Sequence, residues 1–412
     1  MIISGGGTGL VTLFNGEQLN HTNAEVLYLD FSISSMKIAQ KRARIRRLQN
    51  IIWVRNWIEG IRYLGLALFE YSQCSGVLHH LKNPLLGLKI LKDTLTQQGG
   101  MQLMVYARYG RTAVYQVQHL LQLINKNGEG LDTELINANH VLNTLPLSQW
   151  FVLNPLMTDH KYGNTGIYDL LLHKRDVAFS VFSLYQWIVK AGIYFVDFDH
   201  FATRCRLNIQ YVIHNKHLYE KISYLHVLKQ WFITEIMRGD IIKHGFFTSK
   251  LQESEATLSD HSNILYVYGN PHGFKEALRN KRNQRTFENQ QTIFFAWIAQ
   301  VSRMAKLSES NVIPSNPVIH SRDGVSFAIK LSGFNIFLIN KLLDSNKGIN
   351  LTSACSEYRK SARSNVTNEE LFKSAEEFYN SVKHTGLFLL RKQHVSPFPK
   401  TAFMTFFQIK SI

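Results

Sequence analysis

Only three cysteines occur in the 412 residues, Cys74, Cys205 and Cys355, too far apart for a metal knuckle or a Cys-x-x-Cys redox pair. Their scarcity excludes a disulfide scaffold and points to a reducing compartment, cytoplasmic or organellar. No run of eighteen apolar residues escapes interruption by a charged or strongly polar one, so no membrane span is expected. The first residues lack a basic region followed by an apolar segment, so no secretory signal is expected there. Acidic residues are also short, 30 against 46 lysines and arginines, for a formal net charge of +16. That charge favours polyanionic or acidic partners. The basic residues are scattered, however, and the densest run, Lys37 to Arg47, reads as a helix. Lys37, Lys41 and Arg44 share one face of it, Met36, Ala39 and Ala43 another, so nucleic acid is a possible but not a favoured partner.

What is abundant is core-forming material: 45% of residues are hydrophobic and 26 are phenylalanine. A chain of this length implies two or three globular domains. Its organising stretch is the first, Met-Ile-Ile-Ser-Gly-Gly-Gly-Thr-Gly, where a short apolar strand runs into glycines at 5, 7 and 9. Glycine tolerates φ > 0, and without a Cβ it lets a ligand lie against the main chain. A helix from about Leu10 presents its N-terminal amides to that turn.

Strands and helices then alternate. Ala24–Leu29 reads as a buried strand ending at Asp30, followed by the basic helix, and Ile51–Val54 and Phe69–Gln73 read as the next two strands. Asn83-Pro84 opens a helix with Asn as cap and Pro at the first position. Leu81, Leu85, Leu88, Leu91 and Leu95 recur at helical spacing, and Gly99-Gly100 are read as its stop. Met101–Tyr106 is a fifth strand, and Val114, Val117, Leu121 and Ile124 mark a further amphipathic helix. This alternation implies an α/β fold with a doubly wound, mostly parallel sheet and a ligand at the carboxyl ends of its strands.

A dinucleotide fingerprint would need a third glycine where Leu10 stands. The pattern present is G-x-G-x-G, and with Asp30 closing the second strand it resembles the class I S-adenosylmethionine-dependent methyltransferases. Leu-Asp-Phe-Ser (29–32) resembles that family's ribose-binding strand end. Cys-Ser-Gly-Val-Leu-His-His-Leu (74–81) resembles its fourth strand and turn, and Leu-Thr-Gln-Gln-Gly-Gly-Met (95–101) its entry into strand five. The resemblance covers residues 1–126 well and weakens towards 270.

It implies a seven-stranded sheet, S-adenosyl-L-methionine as cofactor, and methyl transfer to an unidentified acceptor by in-line displacement. Gly5, Gly6, Gly7, Thr8 and Gly9 would cradle the methionine portion, and Asp30, next to Phe31, would accept from both ribose hydroxyls. Asn56 and Trp57 would face the adenine, and Ser75 the methionine end. His79, His80 and Tyr106 are candidate acceptor-side groups, since a histidine can take a proton near neutral pH. Departures from the pattern are Ile3 in place of a frequent acidic residue and the absence of a helix before strand one. They keep open a second reading, a binding or scaffold protein on this fold. A nucleic-acid methyltransferase is a third, opposed by Ser75-Gly76-Val77-Leu78 where an Asn/Asp-Pro-Pro-Tyr/Phe turn would be expected.

Beyond Lys126–Asp132 the chain reads as helical insertions, about 127–180 and 205–255, around a sixth strand at Ile193–Phe198. Leu218, Ile222, Leu225, Leu228, Phe232 and Ile236 read as one long amphipathic helix, and Ile264–Tyr268 as an antiparallel seventh strand ending a first domain at 270. No histidine there has convergent ligand spacing, so no metal site is expected. A linker or helical segment at 271–317, including Lys275–Arg285, Phe294–Val301 and Ser308–Pro317, leads to a small α+β module at 318–412 that resembles a winged helix. There Thr367 and Glu370 form a capping box ahead of a helix burying Leu371, Ala375, Phe378 and Val382. Such a module suggests a protein partner or homodimerisation.

Overall fold

The computed structural model describes residues 1–126, 128–154, 156–199, 206–252, 256–267, 332–345, 347–362, 365–383 and 388–393, with the strands Val318–His320 and Ser326–Ala328. The chain divides into two units, Met1–Asp199 with Arg206–Glu253, and His200–Cys205 with Ser254–Ile412. Lys275–Arg285, Phe294–Val301 and Ser308–Pro317 lie outside the described residues.

The first unit is built on a seven-stranded sheet: β1 Ile2–Ser4, β2 Val26–Asp30, β3 Ile51–Arg55, β4 Phe69–Ser75, β5 Leu95–Tyr106, β6 Tyr194–Phe198 and β7 Lys243–Ser249. Their order across the sheet is β3-β2-β1-β4-β5-β7-β6. The first five strands pair in parallel, and β7 runs antiparallel between β5 and β6. Helices α1 (Leu10–Leu19) and α2 (Ile33–Ile45) follow β1 and β2, α3 (Pro84–Asp93) follows β4, and α4 (Thr112–Ile124) follows β5.

Alternation sorts the core onto both faces of the sheet, as the period of two requires. Ile3, Val26 and Tyr28 pack with Leu13, Met36 and Ala39 of α1 and α2. Ile2, Leu27 and Leu29 face the other way, joining Cys74, Leu88, Leu91, Leu103 and Val105. A third cluster, under the first insertion, joins α4 to α5 (Leu131–Thr144) through Val114, Val117, Leu121 and Ala138. Cys74 is fully buried, and burial pushes its thiol up to about 12.

Three readings are corrected. The seventh strand is Lys243–Ser249, whereas Ile264–Val267 pairs with two strands of the second unit. Helix α3 stops at Asp93, and Leu95 with Gly99-Gly100 belongs to β5, whose pairing with β4 is irregular between Phe69 and Tyr71. Glycines that read as a helix stop thus mark a break in strand register. The long amphipathic helix is two, Lys216–Ser223 and Val227–Arg238, because His226 caps the second by accepting from the Leu228 amide. Helix Val181–Ala191 (α6) precedes β6 with a Ser180/Ser183 capping box and ends at Gly192 in the left-handed region; Val227–Arg238 is α7.

The second unit holds a three-stranded antiparallel sheet, with β8 (Ile264–Val267) between Ile349–Asn350 and Phe388–Arg391. Three helices accompany it: α8 Gly333–Asp344, α9 Leu351–Ala362 and α10 Asn368–Val382. The Thr367/Glu370 capping box is formed, and α10 buries Leu371, Ala375, Phe378 and Val382. Among the described residues no helix is long and apolar enough to cross a membrane.

Candidate active site at the carboxyl edge of the sheet

The turn after β1 is fixed from below. Gly5 and Gly6 amides both donate to the Leu29 carbonyl, at 2.8 and 3.1 Å. The Tyr28 hydroxyl donates to the Gly7 carbonyl at 2.7 Å, and Arg42 donates to the Thr8 carbonyl and hydroxyl at 2.9 and 3.1 Å. Glycine is demanded for different reasons along the turn. At Gly9 φ is +92°, and a Cβ would stand 2.7 Å from the Ala39 Cβ, where α1 meets α2. At Gly7 φ is +51° and a Cβ would meet nothing within 4 Å, so this part of the main chain faces open space. Gly9→Ala is therefore expected to cost about 1–3 kcal/mol from strain and overlap, measured by urea unfolding.

Asp30 ends β2 and is 9% exposed. Its Oδ2 accepts the Gly7 amide and its Oδ1 the Ser32 amide, both at 2.8 Å. Each carboxylate oxygen has a second acceptor direction left, so a fixed carboxylate next to an open glycine turn can still receive a pair of hydroxyls. Phe31 and Trp57, after β2 and β3, stack at 4.2 Å with their planes 7° apart and remain 53% and 58% exposed. Asn56 Oδ1 accepts the Trp57 amide at 2.8 Å, which fixes the direction of its side chain. Ile3 is a core residue, 2% exposed, and carries nothing to this site.

At the end of β4 the Ser75 hydroxyl donates to Gln102 Oε1 at 3.1 Å, and Gln102 Nε2 donates to Asp199. The serine proton is thus committed, which leaves its oxygen as an acceptor. His79, His80 and Tyr106 come together beyond Ser75: the His79 ring lies 4.1 Å from both His80 and Tyr106. His79 is fully buried, neither ring nitrogen has a partner, and burial, then the neighbouring His80 and Arg111, push it down to about 2. An imidazole so held is not a base at neutral pH. Burial lowers His80 as well and raises the Tyr106 hydroxyl above its ordinary range. An unmet buried polar group costs roughly 1–3 kcal/mol, so His79 requires an explanation.

The motifs did not indicate the residues that hold these groups. Arg42 and Tyr28 brace the turn, and Gln102 and Asp199 orient Ser75. Arg111, whose guanidinium lies 3.6 Å from the centre of the Tyr106 ring, joins His173 and Asp176 around the histidines. Arg111 stands in the stretch Tyr106, Arg108, Tyr109 and Arg111, which the sequence alone places where β5 ends, at this sheet edge; the hydroxyl on Tyr28 and the charge run containing Arg42 are the other local hints.

The strand order with its antiparallel β7, and a turn, carboxylate and β4 loop at one edge, define the class I S-adenosylmethionine-dependent methyltransferase fold. The structure of PKMT2 from Rickettsia typhi in complex with AdoHcy is similar, with a TM-score of 0.57 at 11% identity, over 95% of this chain and 71% of that one. A second structure of PKMT2 from Rickettsia typhi gives a TM-score of 0.56 at 11% identity, over 96% of this chain and 71% of that one. In sequence, the chain is 24% identical over 286 residues to the "Uncharacterized protein syc1184_c" of Synechococcus sp. (strain ATCC 27144 / PCC 6301 / SAUG 1402/1), spanning 64% of this chain and 63% of that protein. The chain therefore spans less than two thirds of the length of that curated relative. No family model matches.

Proposed function

We propose that this chain is an S-adenosyl-L-methionine-dependent methyltransferase. The observation that carries the reading is Asp30, fixed by two backbone amides beside a glycine turn whose middle residue faces open space. The residues fit the cofactor. Gly5 to Gly9 would hold its methionine portion, Asp30 its ribose hydroxyls, and the Ser75 oxygen its ammonium. When bound, the cofactor supplies a methyl group activated by a sulfonium. The AdoHcy named with PKMT2 agrees with this choice.

The exposed Phe31–Trp57 stack would receive the adenine on its open face, while Asn56, with its carbonyl engaged by the Trp57 amide, offers its amide protons. Trp57→Ala is expected to weaken S-adenosylhomocysteine binding up to about tenfold, the worth of one aromatic stack, in a fluorescence titration. On the acceptor side, His79 is sealed, so His80 and the end of β5 line the approach. Incubation with S-adenosyl-L-methionine labelled in its methyl group, against fractionated protein and small-molecule pools, tests the activity. Label is expected in one acceptor fraction. Cofactor binding without transfer to any pool would favour the scaffold reading instead. The second unit's helices and antiparallel sheet suit a winged-helix-like docking module for a protein partner.

A further inference from the structure

Folding brings His79 and His80, after β4, against Asp176 in the segment before α6, and one ligand atom from each lies within 4.8 Å of the other two. Two features set this group apart from an ordinary buried polar cluster. First, its donor atoms lack partners: both His79 nitrogens and Asp176 Oδ1 are buried with none. The His79 residue is fully buried, and the Asp176 side chain is 3% exposed. Second, the histidine that does have a partner is oriented by it. His80 Nδ1 lies 2.7 Å from the Arg175 carbonyl, and a carbonyl can only accept, so Nδ1 holds the proton and Nε2 presents its lone pair. A ring nitrogen donating to a backbone carbonyl while the other stays free is how metal-binding histidines are usually held.

Arg111 does not occupy the group. Its guanidinium packs on the Tyr106 ring, and its Nη2 reaches Asp176 Oδ2 at 3.4 Å, the oxygen that Gln118 also contacts at 3.3 Å. Oδ1 is left over.

We propose that His79, His80 and Asp176 form a site for one divalent transition ion of the zinc type, held by two imidazole nitrogens and one carboxylate oxygen. Such a mixed nitrogen and oxygen set suits zinc, cobalt, nickel or iron rather than calcium or magnesium. Donors around a tetrahedral ion stand about 3.3 Å apart, given bonds near 2.0 Å, so binding draws the three inward and leaves a coordination position open. The site lies at the carboxyl ends of β4 and β5, beyond Ser75. Its existence does not depend on the methyl-transfer reading.

The test is a titration of the full chain, stripped of metal, with Co²⁺ followed by its visible absorption, and with Zn²⁺ followed by thermal melting. The wild type is expected to bind one equivalent of Co²⁺ with the absorption of a low-coordinate nitrogen and oxygen site, and to melt higher with Zn²⁺. His79→Phe keeps the aromatic contacts with His80 and Tyr106 and removes two unmet nitrogens, so it should fold. It is expected to lose the Zn²⁺ effect and bind Co²⁺ at least about 100-fold more weakly, as loss of a ligand exceeds loss of an outer partner. Asp176→Asn, folded by circular dichroism, should also lose the absorption. Folded wild type that binds neither ion, or variants that bind like it, would overturn the site. S-adenosylhomocysteine binding, measured on the same samples, reports separately on the cofactor reading.

Discussion

Asp30→Ala is expected to weaken S-adenosyl-L-methionine binding by about 10²- to 10⁴-fold. Two hydrogen bonds to a charged acceptor, each contributing about 1.5–3 kcal/mol, would be lost together. The same carboxylate receives the amides of Gly7 and Ser32 at 2.8 Å, so the variant also loosens the turn from the start of α2. Asp30→Asn keeps one oxygen as acceptor and should lose less. Equilibrium dialysis against labelled cofactor measures both, and urea unfolding shows whether each variant remains folded. A folded Asp30→Ala protein that binds within threefold of wild type would remove Asp30 from the site.

Glu235→Ala should be among the most damaging changes to stability, by about 3–5 kcal/mol, because it strands buried polar groups. Glu235 and His244 are both fully buried, on α7 and β7. One Glu235 oxygen accepts the Val181 amide at 2.8 Å, in the first turn of α6, where negative charge also meets the helix dipole favourably. The other oxygen lies 3.0 Å from His244 Nε2, which is also 3.2 Å from the Phe179 carbonyl. Two acceptors around one nitrogen place the proton on Nε2. The carboxylate thereby ties the antiparallel strand to the helix before β6. Replacing both residues by leucine should cost less than Glu235→Ala alone, since it removes the His244 imidazole along with the carboxylate, fills the space, and leaves only the Val181 amide unmet. Urea unfolding of the single and double variants checks this, and a single-variant loss below about 1 kcal/mol would contradict it.

The first half of the fold was legible because its signals are local. A strand of apolar residues, a glycine turn, Asp30 and the Asn83-Pro84 cap each announce themselves within a few residues. The Thr367/Glu370 capping box ahead of α10, in the second unit, is a signal of the same local kind. The seventh strand was misplaced because Ile264–Val267 is apolar enough to pass for it. The true strand, Lys-His-Gly-Phe-Phe-Thr-Ser, carries a buried histidine whose partners lie on α7 and before α6. The His79 surroundings were illegible for a similar reason. His79 and His80 are adjacent in sequence, and Arg111 follows β5 at the same sheet edge, but His173 and Asp176 reach them only through the first insertion, and no spacing rule registers that. In sequence the turn glycines look like one ligand cradle, whereas in the structure Gly9 is required mainly by the approach of α1 to α2 and Gly6 by the Tyr28 ring.

The central claim is that the glycine turn and Asp30 hold S-adenosyl-L-methionine. Calorimetric titration of the full chain with S-adenosylhomocysteine, with NAD⁺ as the control, tests it most directly. One equivalent of S-adenosylhomocysteine should bind while NAD⁺ gives no heat of binding. The absence of any heat with a folded protein, or equal binding of NAD⁺, would contradict the account.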